Sequence, residues 1–131
     1  MYQKLIDLIK NNDKIVFFGG AGVSTESGIP DFRSSDGIFH TKTKYGCSPE
    51  TVVSHSFFKE RPEDFYEFYD SRMIIRNVKP NITHTVLAQL EEKGKLLGVV
   101  TQNIDGLHQL AGSKNVYELH GSIRRYFCMR C

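Results

Sequence analysis

No apolar run in this sequence approaches the length of a bilayer crossing, which argues against a membrane-spanning helix. It does not open like a signal peptide either. Residues 2–12 are amphipathic rather than an apolar core with a small-residue cleavage site. These two absences lead us to expect a cytoplasmic chain. Charge of one sign is also lacking: Lys plus Arg number 17 against 15 Asp plus Glu, a formal charge of +2. The basic residues are scattered, so no electrostatic footprint for nucleic acid or a membrane surface is present. Cysteine is scarce and odd in number, with three in all. Two of them are Cys128 and Cys131, and in a chain without an export signal that spacing reads as metal ligation rather than a disulfide. Internal repeats and low-complexity tracts are absent too.

What is present is the composition of a globular, soluble chain, with 40% hydrophobic and 24% charged residues. Its 131 residues make one domain or part of one, with a modest core. Tyr2, Leu5, Ile6 and Ile9 recur at helical spacing. Residues 14–18 read as a first strand, and residues 29–48 as a long loop. Ser48 and Pro49 start a helix-rich, aromatic stretch that runs to about residue 77, interrupted near Pro62. Another helix spans residues 81–93 and ends at Gly94; a second apolar strand follows at 96–101. A short helix at 107–111, a third strand at 116–119 and an extended stretch at 123–128 complete the reading. Strands alternating with helices imply a parallel α/β sheet with crossovers.

Four segments carry candidate chemistry. Gly20-Ala21-Gly22 follows the first strand directly. Glycines at such a turn let a backbone approach a phosphate, and a following helix N-terminus adds free N–H groups. The next glycine is Gly28, so the spacing is not G-x-G-x-x-G, and no convincing ribose-binding acid lies about 20 positions on. A glycine turn also has a purely structural reading. Gln102-Asn103-Ile104-Asp105 ends the second strand, where ligands bind in parallel sheets. Its side chains suit ribose hydroxyls and a carboxamide, or an ordinary Asx-rich turn. His120 follows the third strand and has the titration range of a general base. His40, His55, His84 and His108 read as structural. Cys128 and Cys131 have the spacing of two corners of a tetrahedral zinc site, which is half of one.

Taken together, residues 20–34, residues 101–108 and Leu119-His120-Gly121 resemble the signature of the sirtuins, NAD-dependent protein-lysine deacylases. The resemblance spans essentially the whole chain. It implies a Rossmann-like parallel sheet with an inserted helical module and the start of a small zinc-binding module. The corresponding segments are 1–34 and 81–121 for the sheet domain, 35–80 for the remainder of the cofactor loop and the helical module, and 122–131 for the first half of the zinc module.

By resemblance, Gly20, Ala21, Gly22 and Thr25 lie against the NAD diphosphate. Asp31, Phe32 and Arg33 belong to a mobile cofactor loop. Gln102 and Asn103 hold the nicotinamide ribose, and Ile104 and Asp105 form the nicotinamide pocket. His120 is the catalytic base, and Cys128 and Cys131 are two of four zinc ligands. The implied reaction transfers an acyl group from protein lysine to ADP-ribose and releases nicotinamide. The implied partner is an acylated-lysine protein or peptide.

The family's pattern continues past Cys131, so we expect the 131-residue piece to be inactive alone and to hold zinc incompletely. Tyr69 and Arg72, three apart, match a branch that removes acidic acyl groups if both lie on one helical face; otherwise Tyr69 packs and Arg72 is solvated. Two rival functions are a non-catalytic NAD- or ADP-ribose-binding fragment and a conventional NAD(P) dehydrogenase.

Overall fold

The computed structural model describes residues 2–31, 44–128 and 130–131. The chain divides into two compact units: Met1–Ser27 with Lys79–Cys131, and Gly28–Val78.

The first unit is built on a three-stranded, wholly parallel sheet in the order β1-β2-β3, formed by Ile15–Gly19, Leu96–Thr101 and Val116–Glu118. The apolar strands predicted from the sequence therefore pair side by side. One face is covered by α5, Ile82–Glu92, whose Leu87 meets Leu96 and Val99 in a core flanked by Ile15, Phe17, Leu90 and Val116. Val16, Phe18 and Tyr117 remain exposed.

Helix α1, Gln3–Asn11, precedes β1 and buries none of its residues. Its C-terminal carbonyls are held instead by a cation. Lys95 Nζ donates to the carbonyls of Ile9 at 3.2 Å and Lys10 at 3.1 Å, and pairs with Asp13 at 2.9 Å. A positive charge there meets both the free carbonyls and the negative end of the helix dipole. The start of β3 is pinned by Glu91, whose two carboxylate oxygens accept from the backbone N–H groups of Lys114 and Asn115 at 2.9 and 2.8 Å.

After β1 the sequence implies a helix N-terminus. The structure instead places two single 3₁₀ turns there, Ala21–Val23 and Thr25–Ser27. The stretch after β3 contains no strand: residues 123–124 turn, and 125–128 have no regular structure.

The second unit is helical. Helices α2 (Pro49–Val52), α3 (His55–Glu60) and α4 (Pro62–Phe68) enclose Val52, Phe57 and Phe68. Ser48 and Ser54 each cap a helix by accepting from the N–H three residues on, and prolines stand at the starts of α2 and α4. From Tyr69 to Met73 the chain winds as a π-helix, closed by Ile74 N–H on the Tyr69 carbonyl at 3.1 Å. The looser π turn removes the premise that Tyr69 and Arg72 share one face of an α-helix. Tyr69 stacks on Phe65 at 5.9 Å between centroids, and Arg72 is exposed. The packing alternative for Tyr69 describes this unit.

Candidate cofactor site at the strand ends

All three strands run the same way, so the segments that follow them emerge at one edge of the sheet. Gly19 closes β1 and is needed for packing: a Cβ there would sit 2.6 Å from Phe17 Cε1 and 3.0 Å from Val23 Cγ2. Gly20 and Gly22 differ. Neither has a positive φ. Among the described residues, a Cβ on Gly20 would meet nothing closer than Gln102 Oε1 at 3.6 Å, and one on Gly22 would meet nothing within 4 Å. Glycine at these two positions leaves open room beside the backbone.

Gln102 ties the first two strand ends together, since its N–H donates to the Gly19 carbonyl at 3.0 Å. Its own carbonyl accepts from His120 Nδ1 at 3.1 Å. A carbonyl can only accept, so Nδ1 donates the proton and Nε2 is the ring nitrogen that remains to act as acceptor. His120 is exposed. Thr25 is exposed as well and hydrogen-bonds the Gly22 carbonyl at 3.0 Å.

Beneath these groups lies a buried polar cluster. Asp105, 7% exposed, accepts from Ser24 Oγ at 2.7 Å and from the Leu107 N–H at 2.8 Å. The second bond is an Asx turn that starts α6, Leu107–Leu110, with Gly106 in the left-handed region at φ 70°. Ser24 also accepts from Asn103 Nδ2 at 3.0 Å. The Asn103 N–H is held by Thr101 Oγ1 at 3.0 Å. Ile104 is half-buried, and its carbonyl accepts from the Ile123 N–H at 3.0 Å. Arg124 Nε donates to the Asp105 carbonyl at 2.8 Å, which fastens the post-β3 segment to the post-β2 loop.

Two histidines border this cluster. His84 and His108 are almost wholly buried, with ring centroids 4.7 Å apart. Burial holds His84 below the usual imidazole range, and Asp105 opposes the effect. His108 is pushed down to about 4, by burial first and by His84 second, again against Asp105. Among the described residues His84 Nε2 and both His108 nitrogens have no hydrogen-bond partner. Both rings are therefore neutral at neutral pH.

Gly20, Ala21, Gly22, Thr25, Gln102, Asn103, Ile104, Asp105 and His120 thus all lie on the segments following the three strands. Asp31 is half-buried and belongs to the other unit. Phe32, Arg33 and His40 lie outside the described residues. Ser24 is a central member of the buried cluster that motif reading did not single out. Its only sequence signal is a small polar residue directly after a glycine turn.

Cys128 and Cys131 are exposed, and a hydrogen bond between the two thiols lowers Cys128 below the ordinary thiol range. Two thiols at this spacing suit two corners of a zinc site. Among the described residues no group of three or more metal-ligating side chains is present. Also among the described residues, no helix is long and apolar enough to cross a membrane.

Residues 20–131 match the model of the Sir2 family. The NAD-dependent protein deacetylase of Clostridium tetani (strain Massachusetts / E88) is 60% identical over 129 residues, covering 98% of this chain and 52% of the relative. That of Clostridium perfringens (strain 13 / Type A) is 62% identical, covering 98% and 53%. A solved Sir2 with deacetylated p53 peptide and 3'-O-acetyl ADP ribose superposes with a TM-score of 0.86 at 45% identity, covering 99% of this chain and 51% of that one. A Sir2–p53 peptide–NAD+ complex gives 0.80 at 42% identity, covering 100% and 50%. The chain spans about half the length of the curated relatives it matches. The parallel sheet agrees with these folds, the three strand-end segments all fall within the matched residues, and the chain belongs to the Sir2 family.

Proposed function

We propose that the protein to which this chain contributes removes acetyl or other acyl groups from protein lysine in an NAD-dependent reaction, and that the loops after β1, β2 and β3 are its cofactor-binding part. The observation that carries this reading is the room at Gly20 and Gly22. Among the described residues, neither packing nor backbone conformation requires glycine there. A diphosphate lying against the backbone does.

When bound, NAD supplies an electrophilic ribose carbon and a leaving nicotinamide. The chain's own groups do the rest. Gly20, Ala21, Gly22 and Thr25 hold the diphosphate, and Gln102 and Asn103 hold the ribose. Ile104 and Asp105 receive the nicotinamide, with Asp105 held in place by Ser24 and the Leu107 N–H. By the family resemblance, Asp31, Phe32 and Arg33 belong to the cofactor loop. His120 takes a proton at Nε2, because its Nδ1 is occupied by the Gln102 carbonyl.

Residues 1–34 and 81–121 serve as the cofactor domain and 35–80 as the helical module. Residues 122–131 open a zinc module in which Cys128 and Cys131 are structural ligands. The substrate is an acylated-lysine protein, met in the cytoplasm.

Calorimetry with NAD and with ADP-ribose tests the binding half of this reading. Saturable heat with either ligand is expected, and its absence with both overturns the cofactor site. The chemical half is tested on a polypeptide extended to the length of the relatives, with an acetyl-lysine peptide. Nicotinamide release is expected, reduced about 10²–10⁴-fold in His120→Ala while ADP-ribose binding persists. Appearance of the reduced-nicotinamide absorbance instead would favour a dehydrogenase.

A further inference from the structure

Asn81 begins α5 and makes two separate sets of bonds. One set is local. Its Oδ1 accepts from the N–H groups of Thr83 at 2.9 Å and His84 at 3.4 Å, while its own N–H lies 3.2 Å from His84 Nδ1. This is a capping box that satisfies the open N-terminus of the helix. His84 Nδ1 also lies 3.0 Å from Asn81 Oδ1. Because that oxygen already accepts two N–H groups, Nδ1 is the acceptor for the backbone N–H.

The second set is not local. Asn81 Nδ2 donates to the carbonyl of Val23 at 2.7 Å, across 58 positions of sequence. Capping does not need this bond, because an N-cap uses only the side-chain oxygen. Val23 ends the 3₁₀ turn that carries Ala21 and Gly22, and its N–H closes that turn on the Gly20 carbonyl at 2.9 Å. One residue on, Ser24 is held from the β2 side by Asp105 and Asn103. The glycine turn is therefore gripped from two sides, and Asn81 supplies the grip from α5.

We propose that Asn81 is a positioning residue for cofactor binding, its amide nitrogen fixing the glycine-rich turn through Val23 independently of its role as a helix cap. The inference rests on the reading of that turn as the diphosphate cradle.

Asn81→Ser and Asn81→Asp separate the two roles. Serine and aspartate cap as well as asparagine; an ionised aspartate has no proton to donate to the Val23 carbonyl, and a serine hydroxyl, one bond shorter in reach than the Asn81 amide nitrogen, falls short of it. Amide hydrogen exchange on the full chain is the first readout. Val23 and Ser24 N–H report on the turn, and Thr85 N–H, bonded to the Asn81 carbonyl at 3.2 Å, reports on α5. In both variants we expect the turn amides to exchange about 5- to 10-fold faster, with Thr85 unchanged, as the loss of one hydrogen bond implies. ADP-ribose titration is the second readout, with Kd raised by about 5- to 10-fold. Equal acceleration in turn and helix would mean that Asn81 is only a cap and would overturn the proposal. So would unchanged turn amides, or an unchanged Kd with loosened turn amides. A wild-type chain that binds no ADP-ribose refutes the cradle reading itself, and with it Asn81's part in binding. The exchange data still decide whether the amide holds the turn.

Discussion

Acidification should destabilise this chain through His108 more than through any ordinary surface group. The ring is 1% exposed, and its native value of about 4 lies well below the unperturbed 6.5. Burial is the main cause and the neighbouring His84 the second, while Asp105 pulls the other way. A depressed native value means that the unfolded chain binds the proton first. Stability is therefore fully present above pH 6.5 and is lost as pH falls towards 4. A gap of about 2.5 pH units corresponds to roughly 3 kcal/mol, which is a large share of the stability of a small domain. His84 is lowered by burial as well and acts in the same direction.

The perturbation is His108→Leu, an apolar replacement that removes the titrating ring. Urea unfolding followed by far-ultraviolet circular dichroism at a series of pH values from 7.5 to about 4.5 gives the comparison. The wild type should lose stability through this window faster than the variant, the difference between the two curves changing by an amount approaching roughly 3 kcal/mol. The level of the variant at pH 7 is not diagnostic, because repacking adds its own contribution. Parallel curves would refute the reasoning: they would mean that the native ring titrates as freely as the unfolded one.

Two other substitutions test the site. Ser24→Ala removes a hydroxyl that donates to Asp105 and accepts from Asn103. It leaves two buried polar groups without that partner, so we expect a loss of about 1–3 kcal/mol in urea unfolding; an unchanged midpoint would show that the cluster contributes nothing to stability. Gly106→Ala places a side chain at φ 70° and brings its Cβ to 2.7 Å from Arg124 Cδ. About 1–2 kcal/mol of destabilisation is expected from the left-handed backbone, with Arg124 displaced from the Asp105 carbonyl; a neutral thermal shift would contradict it.

Much of the arrangement was legible along the chain. The apolar runs at 15–18 and 96–101 carried their own strand signal, and the order of strands and helices implied the parallel sheet. Ser48 and Pro49 announced a helix start by local chemistry alone. Ser24 was not legible, because its partner Asp105 lies 81 positions away and no periodicity links them. Asn81 reads as a helix start, which it is, but its bond to Val23 has no sequence trace. The π turn at Tyr69–Met73 was also hidden, since its residues fit an α-helical reading equally well.

Sequence by itself marked the segments to which we assign chemistry in the proposed function: Gly20 to Gly22, Gln102 to Asp105, His120, and the pair Cys128 and Cys131. These are short-range patterns, and the physics behind them is local: glycine room, turn-forming polar residues and thiol spacing. Only the tertiary structure decided how the strand-end groups serve one another. Parallel pairing brings the three strand ends to one edge of the sheet, orients His120 through the Gln102 carbonyl, and closes Ser24, Asn103 and Asp105 into one buried cluster. It also buries His84 against His108, where removal from water rather than any motif sets their protonation.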